Sequence, residues 1–393
     1  MVHSEPSTDS TREVETRFFE FASEGEPFRL LGGGSLDRVT LAYETYGELS
    51  EARDNAILLF HALTGSQHAA GYNPRIEEVG DLWNEENHTG WWNLFVGPGL
   101  ALDTDRFFVI CANYLGGCYG STGPTSVDPT SGRPYRASFP RVGLADTVNA
   151  QIRLLDHLGI QCLHAVIGNS TGGMASLSLA TRYPDRVSRV IPAASGLVTT
   201  PLQLAHNFEQ ILAIENDPRY EGGNYAPGEG PVRGLALARM ISHKSFVSLS
   251  FLAERSRPEV SQELPDGHWY SIEHSLESYM LHQGEKLPPR FDANAYLRIL
   301  DAWQSFDVLR DAGVENYGKL FGPCSDQRYL VFTIDSDACF FPEEQAEMVR
   351  VLRSASIDCQ HVTVRSEKGH DSFLLEPELF APHLGRFLKE DSR

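Results

Sequence analysis

The chain has 393 residues, 41% of them hydrophobic, which suffices for one large α/β domain with an insertion or for two domains. Its formal net charge of −20 argues against nucleic acid or an anionic membrane surface as a partner. No apolar run approaches the ~18 residues of a membrane-spanning helix, so no membrane span is expected.

The chain begins with a polar segment and continues as alternating predicted strands and helices. Residues 1–15 lack the apolar core of a signal peptide, and we expect a flexible tail there. The predicted strands are 56–63, 106–113, 162–168, 189–195, 329–337 and 361–371, and the predicted helices are 145–160, 171–187 and 343–354. This alternation predicts an α/β fold with a mostly parallel central sheet flanked by helices.

The pattern changes between residues 201 and 325, where helical spacing replaces the alternation. We predict a helical lid insertion there, which covers the carboxyl edge of the sheet, where ligands of open α/β sheets bind. Residues 16–200 and 326–393 form the predicted core.

One serine lies between glycines at a predicted strand–helix junction. The stretch IGNSTGGMAS contains G-x-S-x-G at Gly168–Gly172, with a strand before it and a helix after it. A serine can also occur here as a helix N-cap. The context favours a nucleophile elbow, in which Ser170 projects above the sheet and glycines avoid clashes in the tight turn.

A serine hydroxyl is a weak nucleophile without a base. In α/β hydrolases the chain order is serine, acid, histidine. Here His370 lies in the polar residues that end the last predicted strand, and Asp335 and Asp337 both lie at the end of the strand before it. His370 is the predicted base, and the pattern does not separate the two aspartates.

The oxyanion that forms during acyl transfer needs backbone N–H donors. Thr171, directly after the nucleophile, is one predicted donor. The loop 61–65, which follows the AILLF part of the first predicted strand, supplies the other, for which we favour Leu63.

The six cysteines are scattered and none forms a CxxC pair, so we expect free thiols, no metal site and a reducing, cytoplasmic compartment. The acidic surplus also suits a halophilic cytoplasm, because salt screens the repulsion.

Several longer stretches resemble the homoserine O-acetyltransferase family (MetX-type) of the α/β-hydrolase superfamily, over roughly residues 16 to 390. The matching stretches are LAYETYGEL (41–49), HALTGSQH (61–68), residues 91–126, GLALARMI (234–241), residues 277–299, DSDACFFP (335–342) and GHDSFL (369–374). One departure is the elbow, where Asn169 and Thr171 replace a glycine and a methionine of the family's usual GGSMGGMQ.

The resemblance implies a catalytic triad of Ser170, Asp337 and His370, and it favours Asp337 over Asp335. It implies that Arg239 binds the α-carboxylate of the substrate and that Asp371 binds its α-ammonium. A guanidinium fork suits a carboxylate. It also implies ping-pong transfer of acetyl from acetyl-CoA to L-homoserine in methionine biosynthesis, no bound cofactor, and a homodimer.

Other readings of the same residues stay open. Succinyl-CoA could replace acetyl-CoA as donor, and L-serine could replace homoserine as acceptor. An esterase or thioesterase would use the same triad with water as acceptor, and a catalytically dead binding protein would not use it at all. The intact Ser, Asp and His argue against the last reading.

Overall fold

The fold is built around one sheet of eight strands. The computed structural model describes residues 12–77, 79–255 and 269–390. The strands of the sheet are β1 Arg17–Phe21, β2 Val39–Tyr46, β3 Ala56–Phe60, β4 Phe108–Ala112, β5 Ala165–Asn169, β6 Arg189–Ala193, β7 Arg328–Ile334 and β8 Asp358–Val364. Two short strand pairs, Phe28–Arg29 with Ser35–Leu36 and Val96–Gly97 with Leu102–Asp103, lie outside it.

The order across the sheet is β1-β2-β4-β3-β5-β6-β7-β8. The six strands from β4 to β8 run parallel, while β2 pairs antiparallel with both β1 and β4. The predicted α/β fold with a mostly parallel sheet is therefore confirmed. The two antiparallel strands at the edge, β1 and β2, were not predicted.

Helices cover the sheet and fill the segment between β6 and β7. In the described ranges they are α1 Leu144–His157, α2 Thr171–Arg182, α3 Pro201–Glu215, α4 Val232–Phe246, α5 Leu249–Arg255, α6 Ser275–Glu285, α7 Ala293–Gln304, α8 Val308–Ala312, α9 Tyr317–Phe321, α10 Pro342–Ser354, α11 Ser372–Leu375 and α12 Pro377–Lys389. None of these helices combines the length and hydropathy needed to cross a bilayer.

The core has one apolar layer on each face of the sheet. Strand β3 reads AILLF and all five of its residues are buried. Because successive side chains of a strand point to opposite faces, Leu58 packs into the layer shared with α1, α2 and α10, and Leu59 into the layer shared with α12. Burial on both faces explains why this strand is a continuous apolar run.

The segment 201–325, called the insert below, consists largely of packed helices. Helix α3 packs against α4 and α7, and α4 packs against α6. Helix α8, which lies near the end of the insert, packs against α2 of the core. The Gln203 amide at the start of α3 also donates to the Cys339 carbonyl of the core at 2.8 Å, so the insert contacts the core near both of its ends.

The start of the chain is partly attached to the core. The Val14 N–H donates to the Tyr72 carbonyl at 3.0 Å, and the Tyr72 N–H donates to the Arg12 carbonyl at 3.0 Å. Residues 12–15 of the predicted tail thus pair with a core loop. Residues 1–11 lie outside the described residues.

Candidate active site

Ser170 occupies a sharp turn between strand β5, which ends at Asn169, and helix α2, which begins at Thr171. Its backbone has φ 59° and ψ −124°, a conformation that L-residues rarely adopt and that costs about 1–3 kcal/mol. The Ser170 N–H donates to the Ala193 carbonyl at 2.9 Å, which fixes the turn against β6. This is the geometry of a nucleophile elbow.

The glycines around Ser170 allow backbones to approach closely. A β-carbon at Gly168 would lie 2.0 Å from the Gly172 carbonyl oxygen, and one at Gly172 would lie 2.3 Å from the Phe60 carbonyl oxygen. One at Gly173 would lie 2.5 Å from the Ser195 β-carbon. Any side chain at these positions would push β3, β5 and α2 apart, and this explains why glycines flank the serine.

His370 and Asp337 form a buried pair after strands β8 and β7. The His370 Nδ1 lies 2.8 Å from the Asp337 Oδ2. The other oxygen of Asp337 accepts the N–H groups of Cys339 at 2.8 Å and Phe340 at 2.9 Å. These bonds orient the carboxylate toward the imidazole, so Nδ1 carries the proton and Nε2 is left as the basic nitrogen.

The Nε2 atom of His370 is buried, and no described residue hydrogen-bonds to it. Ser170, Asp337 and His370 all follow the carboxyl ends of parallel strands, which meet at one edge of the sheet. Asp335 is placed differently, because its Oδ1 accepts the Ser366 N–H at 3.0 Å. The structure thus brings Asp337, and not Asp335, to His370.

Three aromatic rings enclose the imidazole. Phe246 and Phe340 stack on His370 with ring centroids 5.8 and 5.5 Å away, and Phe373 meets it edge-on at 5.2 Å. Burial disfavours the imidazolium, but the carboxylates of Asp337, Asp371 and Glu344 outweigh it and raise the pKa of His370 above its usual value.

The sequence analysis identified none of these three rings. Phe340 lies inside the DSDACFFP stretch, which is the one signal that could have drawn attention to it. Phe373 likewise lies inside the GHDSFL stretch, whereas Phe246 carries no comparable local pattern.

The loop after β3 is held rigidly beside the elbow. The His61 ring stacks on Tyr114 with centroids 3.8 Å apart, its Nε2 accepts the Tyr114 N–H at 3.3 Å, and the Tyr114 hydroxyl donates to the His61 carbonyl. Burial lowers the pKa of His61 to about 4, so this ring is neutral at physiological pH.

Two backbone N–H groups are available for an oxyanion. Within the described part of the chain, the buried Leu63 donates its N–H to no protein acceptor. Thr171 is the first residue of α2, and first-turn N–H groups have no partner inside their own helix. Both groups follow the carboxyl ends of the neighbouring strands β3 and β5.

Arg239 on α4 and Asp371 beside His370 act on each other electrostatically. Burial lowers the pKa of Arg239, and the Asp371 charge opposes that shift. Burial likewise raises the pKa of Asp371, while Arg239 and His370 oppose it. No ion pair shorter than 4.0 Å joins Arg239 to any described residue, although its guanidinium lies 5.3 Å from the Phe246 ring centroid. Neither charge therefore has an ion-pair partner within 4.0 Å among the described residues.

The two unusual elbow residues are buried polar side chains. Asn169 and Thr171 are 2% and 0% exposed, and the Asn169 Nδ2 and Thr171 Oγ1 have no hydrogen-bond partner among the described residues. Buried polar groups of this kind usually have partners, so these two flank Ser170 with unused hydrogen-bonding capacity.

The backbone of the insert rests directly on the histidine loop. Gly369 has φ 76°, and a β-carbon there would lie 2.6 Å from the Val247 carbonyl carbon and 2.5 Å from the Ser248 nitrogen. The Ser248 hydroxyl also donates to the Glu367 carbonyl.

The described residues hold no group of three or more His, Cys, Asp or Glu side chains arranged for a metal.

The elbow serine and the histidine–aspartate pair lie at the carboxyl edge of the sheet, beside free backbone donors, and this arrangement defines an α/β hydrolase. The profile of the alpha/beta hydrolase fold matches residues 55–377. The homoserine O-acetyltransferase of Solidesulfovibrio magneticus is 39% identical over 100% of this chain and 98% of its own length. The chain belongs to the homoserine O-acetyltransferase family and is an acyltransferase enzyme.

Solved structures agree on the fold and include both transferases and hydrolases. The homoserine O-acetyltransferase from Bacillus anthracis has a TM-score of 0.86 and 26% identity, covering 98% of this chain and 100% of that one. Esterase E22 has a TM-score of 0.84 and 28% identity, covering 96% and 100%. The same architecture therefore occurs in an O-acetyltransferase and in an esterase.

Proposed function

We propose that the enzyme transfers an acetyl group from acetyl-CoA to the hydroxyl of L-homoserine through an acyl-Ser170 intermediate. The observation that carries this proposal is the buried His370–Asp337 pair, whose Nε2 is unoccupied at the edge of the sheet where Ser170 stands. The names of relatives that match the whole chain support the choice of substrates.

In the first half-reaction, Ser170 Oγ attacks the thioester carbonyl while His370 Nε2 accepts the hydroxyl proton. The N–H groups of Leu63 and Thr171 stabilise the oxyanion. The C–S bond then breaks, and the CoA sulfur takes the proton from His370. Asp337 keeps the imidazole oriented and stabilises its charged form.

In the second half-reaction, His370 accepts the proton of the homoserine hydroxyl as its oxygen attacks the acyl-serine ester. The bond between the acyl carbon and Ser170 Oγ breaks, Ser170 recovers its proton from His370, and O-acetyl-L-homoserine leaves. We assign the α-carboxylate of the acceptor to Arg239 and its α-ammonium to Asp371, because these two charges lack a close protein partner.

Water competes with the acceptor for the acyl-enzyme. We propose that the insert acts as a lid, which excludes bulk water and positions the amino acid. The aromatic rings around His370 support this role, because Phe246 belongs to the insert.

A hydrolase is the second candidate function. The similarity to esterase E22 favours it, because that enzyme shares the architecture over almost the whole chain. Succinyl-CoA as donor and L-serine as acceptor are variants of the leading proposal, and the unpartnered atoms of Asn169 and Thr171 are a place where such a preference could be set.

The test is CoA release from acetyl-CoA or succinyl-CoA with homoserine, serine or no acceptor. We expect release to depend on acetyl-CoA and homoserine together, with O-acetylhomoserine detected by mass spectrometry. Release that proceeds equally without an acceptor would establish the hydrolase instead. Repeating the assay in low and high salt tests the proposed halophilic adaptation.

We propose that the enzyme is a homodimer joined through the insert. Leu204, Phe208 and Leu212 follow each other at intervals of four on α3 and are 37–55% exposed, and Leu237 of the adjacent α4 is 47% exposed. An apolar stripe of this length on a helix pair is typical of an interface. Phe208→Glu should convert the dimer to a monomer in light scattering, and a wild-type monomer would contradict the proposal.

We also propose a cytoplasmic location and no resident cofactor. All six cysteines are free thiols, a state that a reducing compartment maintains.

A further inference from the structure

A completely buried charged cluster lies at the far end of the loop that carries Leu63. Glu44 on β2 and His68 have 0% exposed side chains, and the His68 Nδ1 is 2.7 Å from the Glu44 Oε2. The loop 61–68 therefore begins at strand β3 and ends at this cluster. Neither residue belongs to the acyl-transfer machinery described above.

Four donors saturate the Glu44 carboxylate. The Thr16 hydroxyl at 2.7 Å and the Asn73 Nδ2 at 2.9 Å donate to Oε1, and the Tyr46 hydroxyl at 2.7 Å and His68 donate to Oε2. A carboxylate accepts about four such bonds only when it is ionised. Burial opposes ionisation, but these hydrogen bonds and the His68 charge hold the pKa of Glu44 below its usual value.

Both ring nitrogens of His68 face acceptors. Nδ1 meets the Glu44 carboxylate, and Nε2 lies 3.1 Å from the His88 carbonyl oxygen. A neutral imidazole has one N–H, so it would point a lone pair at one of these oxygens. Only the imidazolium, with two N–H groups, satisfies both.

The titratable neighbours Tyr46 and Cys111 bring no competing charge to the pair. Burial raises the pKa of Tyr46 and of Cys111 on β4 well above their usual values, so both are neutral, and the Trp83 ring meets His68 edge-on at a centroid distance of 5.9 Å. Glu44 and His68 thus neutralise each other. Losing either partner would leave a lone buried charge, which is strongly destabilising.

The cluster also fastens the chain just after the loop. The Tyr46 hydroxyl, oriented by Glu44, accepts the N–H groups of Ala69 at 2.8 Å and Ala70 at 3.1 Å. The Trp91 indole donates to the Ser66 carbonyl at 2.9 Å. These bonds hold the chain after Leu63, and the His61–Tyr114 contacts hold it before Leu63.

We propose that the Glu44–His68 ion pair, with His68 as an imidazolium, positions the loop 61–68 and with it the Leu63 N–H. The positioning part rests on the proposed function, because it takes Leu63 as an oxyanion donor. The protonation state of His68 does not depend on that assignment.

The protonation state is tested by NMR of the full-length protein with isotope-labelled histidine, and His68→Gln is used to assign the signals. We expect both ring nitrogens of His68 to carry protons at pH 7.5. A single protonated nitrogen at that pH would overturn the proposal.

The positioning role is tested by acylation with p-nitrophenyl acetate, an activated ester that needs no amino-acid acceptor. The burst amplitude counts correctly folded active sites, and the burst rate is expressed per counted site. We expect His68→Gln and Glu44→Gln to lower this rate about tenfold or more, with the KM changed less than about twofold. The exposed Glu48→Gln is the matched control and should leave the rate unchanged.

An unchanged rate per site in His68→Gln would overturn the positioning role, whatever the loss of folded protein. Failure of the proposed acceptor shows up elsewhere, as CoA release that is indifferent to homoserine. The two failures are therefore distinguishable.

Discussion

The carboxyl edge of the core and the insert are built in contrasting ways. In the core, close backbone contacts around Gly168 and Gly172 and three hydrogen bonds to the Asp337 carboxylate hold the reacting groups in place. In the insert, Arg239 has no close ion-pair partner in the described chain, and α3 exposes apolar side chains. The core therefore holds the reacting groups in position. The insert instead presents charged and apolar side chains that are available to a ligand or to another protein.

The largest expected effect comes from removing the nucleophile in the core. Ser170→Ala should lower the rate of CoA release by about 10⁴-fold or more, because no other group can form the acyl-enzyme. Circular dichroism and thermal melting should show an intact fold. Turnover close to that of the wild type would contradict the covalent mechanism.

The next effect tests whether the close packing of the core is required. Gly168→Ala places a methyl group where the Gly172 carbonyl lies, so the elbow must shift. We expect acylation by p-nitrophenyl acetate to slow by about 10²-fold, since small displacements of reacting groups are costly. Gly32→Ala is the control, because no atom lies within 4 Å of a β-carbon there.

A change in the insert should affect the acceptor alone. Arg239→Met removes a charge-assisted contact to the acceptor carboxylate, so the KM for homoserine should rise about tenfold to a hundredfold. Acylation by p-nitrophenyl acetate should stay nearly constant. If both half-reactions slowed equally, the division of labour between core and insert would be wrong.

The smallest effect concerns pH. His370 must be neutral to act as a base, and the carboxylates around it raise its pKa, so the rate should fall as the pH drops through a value above the ordinary 6.5. Asp371→Asn removes one of these carboxylates and should move the acid limb of p-nitrophenyl acetate hydrolysis to lower pH. The exposed Glu343→Gln serves as control, and an unmoved limb in Asp371→Asn would contradict the electrostatic account.

The same contrast explains what the sequence could predict. The β-α alternation and the G-x-S-x-G pattern are local signals, and they correctly located the sheet and the elbow around Ser170. Strand β1 was missed because its residues are only partly buried and their sequence, RFFEF, is not a continuous apolar run. Asp335 and Asp337 look alike in sequence, and only the turn formed by Cys339 and Phe340 shows which carboxylate faces His370.

Other site features have no local signal at all. A backbone donor such as the Leu63 N–H is independent of side-chain identity, so no residue pattern marks it. Arg239 and Asp371 were proposed only through the family resemblance, because their electrostatic pairing joins residues far apart in the chain. Likewise, the Glu44–His68 pair depends on the folded position of strand β2.

The contact between Gly369 and the backbone at Val247 and Ser248 has a consequence for substrate exchange. Because no side chain separates the two backbones, α4 cannot swing away from the histidine loop without breaking direct main-chain packing. The insert and the loop that carries the proposed general base are thus packed backbone to backbone at this point. We expect the substrates of the proposed reaction to enter and leave without a separation of α4 from the histidine loop.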